Sequence, residues 1–154
     1  MIKINIISNN KSWKYYLSNP SNFIHKKIKN LNRGIKIYKR KTIYCTLLLS
    51  GDREIKKLNK KFRKKNKSTD ILSFPFHSKK NLKDKIKNDK EIYLGDIIIN
   101  LNKIKNRGNK KKFIIEFNKL WIHGLVHLLG HDHKQNKDFN NMQKIEKKFL
   151  FYIN

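Results

Sequence analysis

Four of the chain's six histidines fall between positions 123 and 133, in the run His123-Gly124-Leu125-Val126-His127-Leu128-Leu129-Gly130-His131-Asp132-His133. Residues four apart on an α-helix lie one turn above each other on the same face. A helix here therefore sets the imidazoles of His123 and His127 side by side. Gly130 suits the left-handed backbone that ends helices, after which the chain can fold back and present His133 to the same point. Three neutral imidazoles with a fourth position open are the donor set of a catalytic zinc ion. Imidazole also suits nickel, copper and iron, so the identity of the metal stays open. Histidines merely satisfied within a core would explain an isolated pair. They explain three at these offsets, with a glycine between, much less well.

Two neighbours in the run have two readings each. His131 lies two residues before His133 and is its rival as third ligand. The turn after Gly130 favours His133 and leaves His131 as a wall or substrate-contacting residue. Asp132 is either a carboxylate that orients an imidazole by accepting its second N–H, or an aspartate of the turn.

The spacing also matches the zinc-protease pattern H-E-x-x-H-x-x-G-x-x-H, but Gly124 stands where those enzymes carry glutamate. That glutamate is the base that takes a proton from metal-bound water, and a glycine has nothing to replace it with. A glycine there also lets a substrate or a neighbouring backbone approach closely. A phosphodiester asks for something else: a metal to polarise a phosphoryl oxygen and a cation to hold the charge of the transition state. A planar guanidinium does the second job well. Arg63 is one of only five arginines in a chain that otherwise uses lysine. On composition alone it reads as an ordinary exposed cation.

Length and composition bound what must position these groups. A chain of 154 residues suits one domain, spanning residues 1–154, with a real core. Thirty-eight Lys and Arg against 11 Asp and Glu give +27, a charge that favours nucleic acid, ribosome or acidic membrane. The chain has no alanine and is rich in Lys, Asn and Ile. That is also the mark of an AT-rich genome, which explains the excess charge as readily as function does. A single cysteine, Cys45, excludes an internal disulfide and fits a reducing compartment. Within its apolar run it reads as a small core residue. No signal-peptide pattern and no run of membrane-spanning length is visible, so a soluble cytoplasmic protein is expected.

Periodicity gives the elements. Residues 2–7 alternate as a strand, and 41–49, 69–76 and 92–99 read as three more. Pro75 marks the third as a strand end or an edge. Helical spacing runs through Trp13, Tyr16 and Leu17 and then Phe23, Ile24, Ile28 and Leu31, interrupted near Pro20. Gly51-Asp52 opens a short helix carrying Ile55 and Leu58, with Asp52 a plausible N-cap. A basic loop follows from Arg63 to Lys67. Residues 77–90 are polar and basic and read as a surface loop, with an RNA-facing flap as the alternative. The longest helix covers residues 113–129, and a last one covers 139–151. The expected fold is α+β, with α/β-like features: one small mixed sheet of about four strands, with the histidine helix packed on it.

Three motifs in order then point to a family. His123, Gly124, His127, Leu128, Gly130, Asp132 and His133 match H-G-x-x-H-L-x-G-x-D-H. Leu58-Asn59-x-x-Phe62-Arg63 leads to Thr69-Asp70-Ile71-Leu72-Ser73-Phe74-Pro75-Phe76, and Leu94-Gly95-Asp96-Ile97-Ile98-Ile99 follows. Together these resemble the YbeY family of bacterial metal-dependent endoribonucleases, which mature ribosomal RNA. The resemblance spans the middle and end of the chain. It implies one Zn2+ held by His123, His127 and His133, and Arg63 as the phosphate-binding or catalytic cation. It places Gly95-Asp96 near the site, with Asp96 structural or supporting a ligand. The implied activity is cleavage of single-stranded RNA in maturation of the 3′ end of 16S ribosomal RNA and in ribosome quality control. The implied partners are ribosomal RNA and the small subunit or its assembly factors, with neither DNA nor membrane. The family often carries Gly where this chain has Lys64, Pro where it has Ser68, and Tyr where it has His131. Two other functions compete: a zinc metalloprotease-like hydrolase, and a non-catalytic ribosome-assembly factor with a structural zinc.

Overall fold

The computed structural model describes residues 1–35, 40–132 and 136–154. Its sheet consists of β1 (Ile2–Ser8), β2 (Thr42–Ser50), β3 (Ile71–Pro75) and β4 (Glu91–Asn100), in the order β1-β2-β4-β3. β1, β2 and β4 run parallel, and β3 is antiparallel to β4. The sheet is mixed, and Pro75 closes an edge strand, where its missing N–H breaks no interior ladder. The helices are α1 (Trp13–Tyr16), α2 (Pro20–Gly34), α3 (Asp52–Arg63), α4 (Lys79–Asn88), α5 (Lys110–Leu128) and α6 (Asn136–Ile153). This is the expected α+β arrangement. Among the described residues no helix is long and apolar enough to cross a membrane.

The two faces of the sheet differ. On one, Ile4, Ile43, Leu47, Ile97 and their neighbours join the main core with α2, α5 and α6. α5 is its keystone: Phe113, Phe117, Trp121, Leu125 and Leu128 recur at helical spacing and are fully buried. Cys45 lies in this core, and burial together with the nearby Asp96 pushes its thiol up to about 12, so it is a packing residue rather than a nucleophile. On the other face only α3 covers the sheet among the described residues, through a small cluster of Ile55, Leu72 and Ile98.

A bulge sets the phase of β4. Tyr44 pairs with Tyr93 and Thr46 with Asp96, so Cys45 alone opposes Leu94 and Gly95. Gly95 has φ +127°, and a Cβ there would lie 2.1 Å from the carbonyl oxygen of Phe74. Only glycine tolerates both that backbone and that approach.

Three sequence expectations change. Residues 77–90 are not a loop: residues 79–88 form α4, with the Ser78 hydroxyl accepting from the Asn81 N–H. Leu82 is buried in the main core and Ile86 packs against it, so two apolar residues four apart anchor a helix whose other positions are polar. Asp52 is not the cap of α3. Gly51 is, and Asp52 is its first residue, its carboxylate turned to Ser68 and Asn100. Arg63 ends α3 rather than starting a loop.

Candidate active site

α5 carries the two histidines to the rim of the sheet. Their Nε2 atoms are 3.1 Å apart and the rings stand at 88°. Each Nδ1 faces an acceptor. That of His123 donates to Glu146 Oε1 on α6 at 2.7 Å. That of His127 donates to the carbonyl oxygen of His131 at 3.0 Å. A carboxylate and a carbonyl can only accept, so each Nδ1 carries a proton, and with both rings neutral, the ligating form, both Nε2 atoms present lone pairs. Two lone pairs at this distance repel, and a cation shared between them removes the repulsion. The donor chemistry therefore fits a metal ion held by His123 and His127, with the outer nitrogens fixed as ligating histidines usually are. Among the described residues no set of three ligating side chains converges. His133, expected as the third ligand, lies outside them.

Gly130 ends the helix as anticipated, with φ +88°. The chain then turns through His131 and Asp132, and both line the same cleft as the histidine pair. His131 serves that pair through its backbone carbonyl. Burial, with the charge of Lys79 second, lowers the pKa of its imidazole.

The cleft has a volume of about 550 Å³. α5 contributes His123, His127 and Leu128 to its lining, β3 and the end of α3 contribute Ile71, Ser73, Pro75 and Arg63, and α4 contributes Lys79 and Leu82. Arg63 lines this cleft from the end of α3. Its Nη2 donates to the Ser73 carbonyl at 3.2 Å, and its guanidinium lies 5.8 Å from the centroid of Phe74. Buried asparagines hold the loop that follows. Asn59 Nδ2 donates to the Lys67 carbonyl at 2.7 Å, while the Asn59 backbone carbonyl accepts from the N–H groups of Lys64 and Lys65. Asn100 Nδ2 reaches Asp52, Ser68 and the Thr69 carbonyl. Lys64 takes the left-handed conformation, φ +57°, where the family often carries glycine. The loop thus keeps its shape without the glycine.

Two expected residues stand elsewhere. Asp96 does not line the cleft. Its carboxylate accepts from the Tyr93 hydroxyl at 2.5 Å on the opposite face of the sheet, which suits the structural half of its expected role. Gly124 does not open the cleft to substrate. A Cβ there would lie 2.7 Å from Ile97 Cγ2 and 3.0 Å from Ile71 Cδ1, so the glycine lets α5 press onto the sheet. A protease glutamate at this position would be driven into the core. Glu146 is the site residue that the sequence reading missed. It lies 23 residues beyond His123, and no local pattern connects them.

A mixed sheet and its longest helix, with paired imidazoles and a guanidinium lining one cleft, define a small α+β domain built around a histidine–arginine site. The chain belongs to the YbeY family: the family described as Endoribonuclease YbeY matches residues 6–154. The chain is 44% identical to the Endoribonuclease YbeY of Pelagibacter ubique (strain HTCC1062), over 95% of this chain and 92% of that protein. It is 34% identical to the Endoribonuclease YbeY of Ehrlichia canis (strain Jake), over 97% and 91%. The solution structure of TM1509 from Thermotoga maritima is similar at a TM-score of 0.61 and 26% identity, covering 98% of this chain and 89% of that one. The three motifs read from the sequence thus identified the family.

Proposed function

We propose that the chain is a zinc-dependent endoribonuclease that cleaves single-stranded RNA. Its substrate is the 3′ end region of the small-subunit (16S) ribosomal RNA, and it serves ribosome quality control in the cytoplasm. One observation carries the proposal: Arg63 and the His123–His127 pair line the same cleft.

Each residue has a task. His123, His127 and His133 would hold the zinc ion, which when bound would supply Lewis acidity toward a phosphoryl oxygen. Glu146 and the His131 carbonyl fix the ligands' tautomers, so Nε2 is the ligating atom in both. Arg63 binds the phosphate through its planar fork and offsets charge that builds on the phosphoryl oxygens. Apolar wall residues, Ile71, Leu82 and Leu128 among them, lower the local dielectric and strengthen those contacts. The charge of +27 draws the RNA in. Peptide hydrolysis is disfavoured because Gly124 gives no base and has no room for one.

Purified protein offered single-stranded ribosomal RNA and casein tests the substrate class. The expected result is RNA cleavage, untouched casein, and about one zinc per chain. The His127→Ala variant should lose both zinc and cleavage. Casein cleavage with intact RNA would overturn the proposal. So would a His127→Ala protein that still cuts RNA.

A further inference from the structure

Among the described residues, the face of the sheet away from α5 is covered only by α3, and it exposes a row of aromatic rings beside Lys3, Asn5 and Ile7 of β1. β1, β2 and β4 pair so that Lys3, Tyr44 and Tyr93 lie in one row across the strands. Phe76 joins that row from the end of β3, with its N–H bonded to the Leu94 carbonyl. The Tyr44 and Tyr93 ring centroids are 5.3 Å apart, and those of Tyr93 and Phe76 are 5.5 Å apart. Phe76 is 69% exposed and Tyr44 41%. The bulge at Gly95 makes this possible, because it resets the alternation and puts Tyr93 and Asp96 on the same side. A fold that needed these rings only for its core would bury them. Here α3 stops short and leaves them to solvent.

Cations flank the row. Lys3 continues it on β1, beside a groove of about 750 Å³ that Tyr44, Lys3 and Lys29 help to line. In the next row of the same face, Phe74 pairs with Asp96 and carries the Arg63 guanidinium 5.8 Å from its centroid. Arg63 also lines the histidine cleft, so it links the two faces across the edge strand. Asp96 lies among the rings as a hydrogen-bond acceptor.

We infer that this open face is a base-stacking platform for the single-stranded RNA whose scissile phosphate lies in the histidine–arginine cleft. Every base has a face to stack, so aromatic rings bind single strands without regard to sequence, while flanking cations hold the phosphates. The strand leaves the cleft at Arg63, crosses the free edge of β3, and lays its unpaired bases on Phe76, Tyr93 and Tyr44. This inference rests on the endoribonuclease reading and names where that enzyme grips the flank of its substrate.

The test uses the full chain and a fluorescein-labelled oligoadenylate of 2′-O-methyl nucleotides, which cannot be cleaved through the 2′ oxygen. Affinity is read by anisotropy across a salt series for the wild type and the double variant Tyr44→Ala/Phe76→Ala. Both side chains are exposed but pack on Tyr93, so the variant should fold with a somewhat lower melting temperature, and affinities are compared well below both transitions. The double variant should bind at least tenfold more weakly, with an unchanged salt slope, because no phosphate contact is lost. Replacing bases with abasic sites should weaken wild-type binding and leave the variant's almost unchanged. Equal affinity of variant and wild type for the intact oligonucleotide would overturn the platform, leaving cleavage in the cleft unaffected. If the variant instead lost only its association with small ribosomal subunits, the face would belong to a protein partner and the inference would fail. If the wild type bound no RNA, the endoribonuclease reading itself would fall.

Discussion

Glu146 Oε1 lies 2.7 Å from His123 Nδ1, joining α6 to the histidine helix through one charge-assisted hydrogen bond. That bond fixes the tautomer of His123 and points its Nε2 at His127. Loss of such a partner typically costs ten- to a hundredfold in metal affinity. Glu146→Ala should therefore bind zinc about 10–100-fold more weakly in a chelator competition, with the fold retained. Glu146→Gln, whose amide oxygen can still accept, should recover part of the loss. Unchanged affinity in both variants would remove Glu146 from the site.

Gly124 packs where a side chain has no room. An alanine in a helix normally stabilises by about 1 kcal/mol relative to glycine. Here its Cβ would press on Ile97, which is fully buried on a central strand, and on Ile71. Overpacking of this kind costs about 1–3 kcal/mol, so the clash wins. Gly124→Ala should lower stability in urea unfolding, and Gly124→Glu should lower it further. A more stable Gly124→Ala protein would contradict the packing.

Lys64 holds a left-handed conformation at the end of α3. A side chain costs about 1–2 kcal/mol there, and glycine's freedom in the unfolded chain returns part of that. Lys64→Gly should stabilise the protein by about 0.5–1 kcal/mol without changing zinc content. Destabilisation would show that the loop draws something from the lysine itself.

Asp52 gives the fold a dependence on acid. The Ser68 hydroxyl, and then the Asn100 amide, hold its carboxyl below the ordinary carboxylate range. A carboxyl with a lowered folded pKa contributes stability that is present above its unfolded pKa, near 3.9, and lost as pH falls through the folded value. Ser68→Ala removes the larger cause, so the Asp52 titration followed by NMR should move up toward the ordinary range. The variant should also lose less stability between about pH 4 and pH 2 than the wild type. A titration that stays put would assign the shift to other charges.

Much of this was legible from the sequence, for physical reasons. The four-residue spacing of His123 and His127 can only stack them on a helix, and Gly130 ends that helix with φ +88°. Pro75 forbids an interior strand and lies at the edge. What escaped depends on relations between distant segments. The bond from Glu146 to His123 needs the register of α6 on α5. The bulge at Gly95 decides which face Tyr93 and Asp96 take, and one residue of phase is invisible in an apolar run. α4 escaped because Leu82 and Ile86 stand alone among lysines and polar residues. Which of the two readings of Gly124 holds, close approach of a substrate or of a neighbouring segment, escaped for the same reason: the nearness of Ile97 belongs to helix–sheet packing.

The central claim is that the imidazole pair and Arg63 act together on an RNA phosphodiester. The most direct measurement compares wild type and Arg63→Glu on single-stranded RNA carrying the small-subunit 3′ end, at equal, measured zinc occupancy. Arg63 is distant in sequence from the ligands and exposed at the end of α3, so the variant should fold and keep its zinc. It should cleave at least a hundredfold more slowly, the scale seen when a preorganised donor to the transition state is removed. Wild-type rates from the zinc-loaded variant would contradict the account.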